Sequence, residues 1–538
     1  MIRQLGEQDA GFLYLETPET PQHVGGMSLV ELPAGYEGDF YEDYKKHIAS
    51  RLHLIPFMTL KLVQLPFDID HPFWTADEQV DIDYHIRRQT LPRPGRLSQL
   101  EELVGRLHSN FLDRSRPLWE FYVIDGLESG QVAIYTKIHH AAMDGAASQL
   151  LISTMYDPTP VPRQLPPPGA GEKKSELGIE ELLRGVAGHF ISQEIRALQA
   201  VPEALKVWAR LVLPDAKTLK FDKAVLPPLR TPHTLFNVPI TSQRSYAVRT
   251  LPLSRCKRIG KGVDAKLNDV VLAICAGALR RYLLERKALP KLSMTAMVPV
   301  SLRGLGDTEM SNQNAAVLCG LATDVADPAK RLLAIGEAMT DQKRLLGNVR
   351  NVLLPDMGFV GSGALMRGMV DLYRRAKLAD KLPPLNNLVI SNVPGPPVPL
   401  YIAGAKLLSF YPCSIPFHGS ALNITVESYC DSLDFGLVAC RRTVPDLAEL
   451  ADHLVPAMEE LEQSVAALVA AKEAPAVVAA KAPPKTRTAA RTPAPTPAPT
   501  PAPKPSTAAA PGRAPARRPP RGPKPSSPSS TPELKVTP

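Results

Sequence analysis

Cysteine is scarce in this chain. There are six in 538 residues, scattered through apolar runs, with no Cys-x-x-Cys pair and no zinc-like spacing against histidine. That excludes a disulfide framework and a structural zinc ligand set, and it points to buried thiols in a reducing cytoplasm. Long apolar runs are missing as well. No stretch approaches the roughly 18–20 residues that a spanning helix needs, and the opening MIRQLGEQDAGFLYLE has no signal-type apolar core. A soluble or peripheral protein is expected. Neither G-x-x-x-x-G-K-[ST] nor G-x-G-x-x-G occurs, so the usual phosphate-cradling loops are excluded. No G-x-S-x-G elbow is present, which argues against serine-hydrolase machinery.

What the chain has is length for two or more domains, each able to bury its own core. Its formal charge of +8 is unevenly spread. From Ala474 onward there are eleven Lys/Arg against one acid, Glu533, so the tail carries the positive charge and the remainder is nearly neutral. That tail, as in RTPAPTPAPTPAPKP, lacks apolar periodicity and reads as disordered from residue 471. A second proline-rich stretch covers residues 157–175. After it, Ile179, Leu182, Leu183, Val186, Phe190, Ile191, Ile195 and Leu198 recur at helical spacing, which predicts amphipathic helices between two halves of similar size. Such helices serve either as a packed crossover or as a membrane-surface contact. Each half alternates strand-like and helix-like segments, as α/β layers do. The expected divisions are residues 1–157, 158–235, 236–470 and 471–538.

The stretch QVAIYTKIHHAAMDG carries the chemistry. Alternation over residues 131–138 reads as a strand that ends at His139 and His140, and Gly145 opens a helix. A neutral imidazole at a strand end can take a proton from a hydroxyl. A lone histidine there is more often structural, but two in a row followed by Asp144-Gly145 favour the catalytic use. Metal binding lacks its third and fourth ligands.

HHAAMDG resembles the HHxxxDG motif of the acyl-CoA-dependent acyltransferases, a superfamily that includes chloramphenicol acetyltransferase and condensation domains. Further blocks narrow the resemblance. In order, LDRSRPLWEFYVIDGL, LNDVVLAICAGALRRYL, MVPVSLR, NLVISNVPGPPVPLYIAGAKL and LNITVESYCDSLDFGLVAC are similar to the bacterial wax ester synthase/diacylglycerol acyltransferases, as is the opening QDAGFLYLETPETPQHVGG. The resemblance covers about residues 1–469. It implies an α/β fold of two chloramphenicol-acetyltransferase-like domains with the active site in a channel between them. It assigns His140 as general base and His139 as its neighbour, with Asp144 and Gly145 shaping the motif's end. Asp144 would pair with an arginine, Arg303 or Arg51. Asn268 would donate to a developing oxyanion or cap the helix starting near Asp269. Trp119 would line the acyl pocket or pack. Met58 and Thr59 depart from the arginine-bearing pattern expected there.

The implied reaction moves a long-chain acyl group from acyl-CoA to diacylglycerol or a fatty alcohol. It needs no metal and no cofactor beyond the acyl-CoA substrate. The acceptor is not legible in the motif, because both alcohols present the same hydroxyl. Peripheral contact with the inner membrane face or with lipid droplets is the expected location. Two other classes compete. A non-catalytic lipid-droplet or membrane-coating protein would not need His140, and a nucleic-acid binder would need a basic face that the near-neutral body lacks.

Overall fold

The computed structural model describes residues 3–64, 71–143, 145–166, 231–301, 314–353 and 363–480. The predicted amphipathic helices around residues 179–198, Asp144, Arg303 and the chain after Ala480 lie outside these residues.

Runs of β-branched and aromatic residues form the strands. In the first half these are β1 (Arg3–Gln4), β2 (His23–Glu31), β3 (Leu60–Val63), β4 (Phe73–Ala76), β5 (Ile86–Thr90), β6 (Trp119–Asp125) and β7 (Val132–His139). In the second they are β8 (Arg244–Pro252), β9 (Thr295–Ser301), β10 (Asn314–Gly320), β11 (Leu388–Val393), β12 (Tyr401–Ile402), β13 (Ala405–Cys413), β14 (Leu422–Tyr429) and β15 (Ser432–Cys440). One six-stranded sheet has the order β12-β13-β2-β7-β6-β5 and the other β10-β9-β11-β14-β15-β8, while β1-β4-β3 form a small third sheet.

The helices used below are α1 (Glu7–Leu15), α2 (Phe40–Ala49), α3 (Leu97–His108), α4 (Gly145–Met155), α5 (Leu253–Val263), α6 (Leu267–Glu285), α7 (Pro328–Leu353), α8 (Gly363–Arg375), α9 (Leu447–Asp452) and α10 (Leu454–Ala480). The first sheet is buried on both faces. Val132, Ile134 and Ile138 of β7 pack with Trp119 and with Tyr44 and Ile48 of α2. Ala133 and Tyr135 face the other way, against Leu100 and Val104 of α3 and against Tyr246, Val248 and Val438 of the second sheet. The second sheet's far face carries α5, α6, α7, α9 and α10. Helix α6 is apolar around most of its circumference because other helices and the sheet surround it.

Two boundaries differ from the sequence-based division. Strands β12 and β13 belong by sequence to the second half, yet β13 pairs antiparallel with β2, Tyr411 opposite Met27. The two halves therefore share a sheet. Glycine permits the close approach: a Cβ on Gly26 would lie 2.2 Å from the Phe410 ring, and one on Gly436 of β15 would lie 1.8 Å from the Pro412 carbonyl oxygen. The second difference is α10, which carries past residue 471 to Ala480. All six cysteines are unpaired and five are buried. Among the described residues, no helix is long and apolar enough to cross a membrane.

Candidate active site

The β2–β7 ladder ends at the pair His23 and His139. One more bond follows, from the His140 N–H to the Gln22 carbonyl at 2.8 Å, before residues His140–Ala142 wind into a single 3₁₀ turn. His139 caps that turn, its Nδ1 accepting from the Ala141 N–H at 3.1 Å. A ring nitrogen that accepts carries no proton, so the proton sits on Nε2 and is donated to Glu16 Oε2 at 3.2 Å. Glu16 also accepts from Arg114 Nε and Nη2 at 3.1 and 2.7 Å and from the Gln22 N–H at 3.0 Å. Burial pushes the Glu16 acid up, but the His139 hydrogen bond, the Arg114 charge and the Gln22 N–H outweigh it and hold it at about 2. Glu16 is thus a fixed carboxylate that locks one tautomer of His139.

His140 stands beside this pair with different surroundings. Its ring stacks on Phe12 of α1, centroids 3.8 Å apart and planes 13° from parallel. Its Nδ1 is buried without a hydrogen-bond partner. Burial lowers the ring to about 4, and its own backbone carbonyl works against that. The imidazole is therefore neutral at ordinary pH and has a lone pair to offer. Behind both histidines lies a buried polar floor. His23 Nε2 meets the His108 carbonyl at 2.7 Å, His108 Nδ1 meets the Tyr135 hydroxyl at 2.8 Å, and Lys137 pairs with Glu120 at 2.9 Å.

Gly145 begins α4, whose Ala147, Leu151 and Met155 pack on the first core. Asp144, one residue earlier, lies outside the described residues. Of the two arginines proposed for it, Arg303 lies outside the described residues and Arg51 has a partner of its own: Arg51 Nη1 and Nη2 reach the Asp157 carboxylate at 3.2 and 2.8 Å, and Nη1 also donates to the Thr154 carbonyl at 2.7 Å. Arg163 Nε adds a bond to Asp157 at 2.7 Å. Arg51 thus anchors the far end of α4.

Two other expectations change. Trp119 is fully buried, its indole N–H donating to the Met58 carbonyl at 3.0 Å and its ring stacked on His85 at 4.3 Å. Packing is its role, and a residue sealed in this way does not line an acyl pocket. Met58 is likewise sealed in that core. Asn268 is not a helix cap, because α6 starts at Leu267 with Lys266 in the cap position. Asp269 takes the capping bond, accepting from the Lys266 N–H at 3.3 Å. Asn268 sits partly exposed in the first turn. His139 ends β7, His140 opens the 3₁₀ turn and Gly145 begins α4, whereas Asn268 lies in the first turn of α6. Glu16, Arg114 and Phe12 were not singled out by the sequence, although all three fall within or beside the blocks that carried the resemblance.

The family model for the wax ester synthase/diacylglycerol acyltransferase catalytic domain matches residues 5–271, and that for the WS/DGAT C-terminal domain matches residues 310–462. A Mycobacterium tuberculosis protein named as a probable diacylglycerol O-acyltransferase is 38% identical over 85% of this chain and 98% of its own length. The O-acyltransferase WSD of Acinetobacter baylyi is 34% identical over 86% of this chain and 98% of its own. Among solved structures, the wax ester synthase/diacylglycerol acyltransferase of Marinobacter aquaeolei superposes with a TM-score of 0.63 at 30% identity, covering 86% of this chain and all of that one. With its paired histidines held at the end of β7 and its whole body matched to these proteins, the chain belongs to the wax ester synthase/diacylglycerol acyltransferase family.

Proposed function

We propose that the protein transfers a long-chain acyl group from acyl-CoA to the hydroxyl of diacylglycerol or of a long-chain alcohol. The observation that carries this is the neutral, Phe12-stacked imidazole of His140 beside a His139 whose tautomer Glu16 fixes. His140 accepts the hydroxyl proton as the alcohol oxygen attacks the thioester carbonyl. The tetrahedral oxyanion collapses, the carbon–sulfur bond breaks, and the leaving thiolate recovers the proton as free CoA. No acyl-enzyme is required. Asn268 is the candidate donor to the oxyanion, a contribution worth about 10²–10³ in turnover.

The test is thiol release from palmitoyl-CoA with and without diacylglycerol or hexadecanol. Release that depends on the acceptor is expected, and the faster acceptor names the preferred product. Equal release with and without acceptor would overturn the transfer reading, and no release at all would favour a coating protein. In the same assay Asn268→Ala should lose turnover at an unchanged Tm; full turnover would remove Asn268 from the site. The acceptors are lipids, so the protein works at a membrane or lipid-droplet surface, a location supported by the basic charge after residue 474.

A further inference from the structure

Between α1 and β2 the chain runs Glu16, Thr17, Pro18, Glu19, Thr20, Pro21, Gln22 and doubles back in a tight turn. Pro18 stands where a β-turn favours proline, the Thr20 N–H closes on the Thr17 carbonyl at 2.9 Å, and the two threonine hydroxyls meet at 2.7 Å. The two sides of the turn hold the two histidines. Glu16 Oε2 accepts from His139 Nε2, and the Gln22 carbonyl accepts from the His140 N–H. The Gln22 N–H donates to the same Glu16 oxygen, so the sides are also tied to each other.

The tip of the turn is gripped from the second half of the chain. Arg244, the first residue of β8, donates from Nη2 to the Glu19 carbonyl at 2.5 Å, across 225 residues. It is buried, and its other side-chain bonds go to the neighbouring carbonyls of Thr241 and Gln243. Among the described residues no carboxylate pairs with it. A buried guanidinium that meets only main-chain oxygens is costly to keep. The one distant group it reaches is Glu19. Arg374 of α8 reaches the Glu19 side chain, Nη1 to Oε1 at 3.2 Å, across 355 residues. Asp371, one turn earlier on the same helix, accepts from Arg374 Nε and Nη2 at 3.2 and 2.5 Å, which leaves Nη1 for Glu19.

We infer that Glu19 is a positioning residue for acyl transfer: held by Arg374 and Arg244, it fixes the turn whose sides set His139 and present His140. The inference rests on the acyl-transfer reading above. Two grips on one residue restrain the tip, and a shift of about 1 Å in a positioned group costs up to about a hundredfold in rate. The ion pair itself does little for stability, because its side chains are 29% and 26% exposed. Turnover and stability therefore separate.

The experiment measures kcat and KM for palmitoyl-CoA with hexadecanol as acceptor, beside Tm. Arg374→Met keeps the apolar stem and is expected to lower kcat about tenfold, with KM within about twofold and Tm within about 2 °C of wild type. Arg374→Lys, whose ammonium still pairs with a carboxylate, should return kcat to within a few-fold of wild type. Glu19→Ala removes the same contact from the other side, so it should match Arg374→Met, and the double variant should be no slower than either single one. Full kcat in either folded single variant overturns the inference, as do losses that multiply in the double variant or a lysine variant as slow as the methionine one. If Arg374→Met does not fold, Glu19→Ala decides by the same readouts. Absence of transfer by the wild-type protein would instead overturn the acyl-transfer reading, and this inference with it.

Discussion

A histidine ring lying flat on phenylalanine loses water from one face, and in His140 that loss decides the protonation state. The ring is held at about 4, well below its ordinary 6.5, so lowering the pH through 6.5 should leave the base in its working form. Initial-rate kcat/KM is therefore expected to stay level across 6.5 and to fall only as the pH approaches about 4, where protonation removes the lone pair. A profile that bends near 6.5 would show that the ring is solvated in the working enzyme. His140→Ala should lower turnover by about 10²–10⁴-fold at an unchanged Tm, measured by thiol release. Activity within a few-fold of wild type would place the base elsewhere. His139 has a different task. With its ring committed on both nitrogens, to Ala141 and to Glu16, it shapes the turn that presents its neighbour.

At the scale of elements, the catalytic turn is held from both ends. β7 fixes its start through the ladder to β2, and the helix that follows is tied at its far end by the buried Arg51–Asp157 pair. Both side chains are at most 2% exposed, so losing one leaves the other's charge stranded. Arg51→Leu is expected to cost about 3 kcal/mol in urea unfolding, Arg163 keeping the loss from being larger. The double variant Arg51→Leu, Asp157→Leu should recover much of that, because an apolar pair of similar volume often replaces a buried ion pair without loss. Additive losses would mean that the two residues act separately. The crossing of β13 is the other element-scale feature. Pairing it into the first sheet makes the two halves one unit, so their relative placement does not rest on a linker.

For the whole molecule, charge is unevenly placed along the chain. All eleven basic residues of the tail follow Ala480, where α10 ends, and the body before it is nearly neutral. A chain ending at Ala480 should therefore keep its turnover on detergent-dispersed substrate and bind anionic vesicles more weakly than the full chain. Each Lys/Arg near such a surface contributes up to about 1 kcal/mol within a Debye length, so the difference should shrink as salt rises. Sedimentation with phosphatidylserine vesicles at low and high salt measures this. Equal binding at low salt would leave the tail without the role, and salt-sensitive retention on DNA by the full chain alone would favour nucleic acid.

The sequence by itself determined the family, the α/β layering of each half, the paired histidines at a strand's end and the separable basic tail. Each of these is a local pattern, carried by residues close together in the chain. Tertiary structure decided what those residues meet. Glu16 lies 123 residues from His139, and no spacing rule announces their contact. Sequence offered Arg51, with Arg303, to Asp144, and the fold brings Asp157 to Arg51; it left Trp119 between an acyl pocket and packing, and the core closes over it. Asn268 lost its capping role to a helix that begins one residue earlier, and α10 ran on past a boundary drawn from composition. The grip of Arg374 on Glu19 joins residues 355 apart in the chain. Partners distant in sequence are chosen by sheet register and by which face of an element is buried, and both are settled only when the whole chain packs.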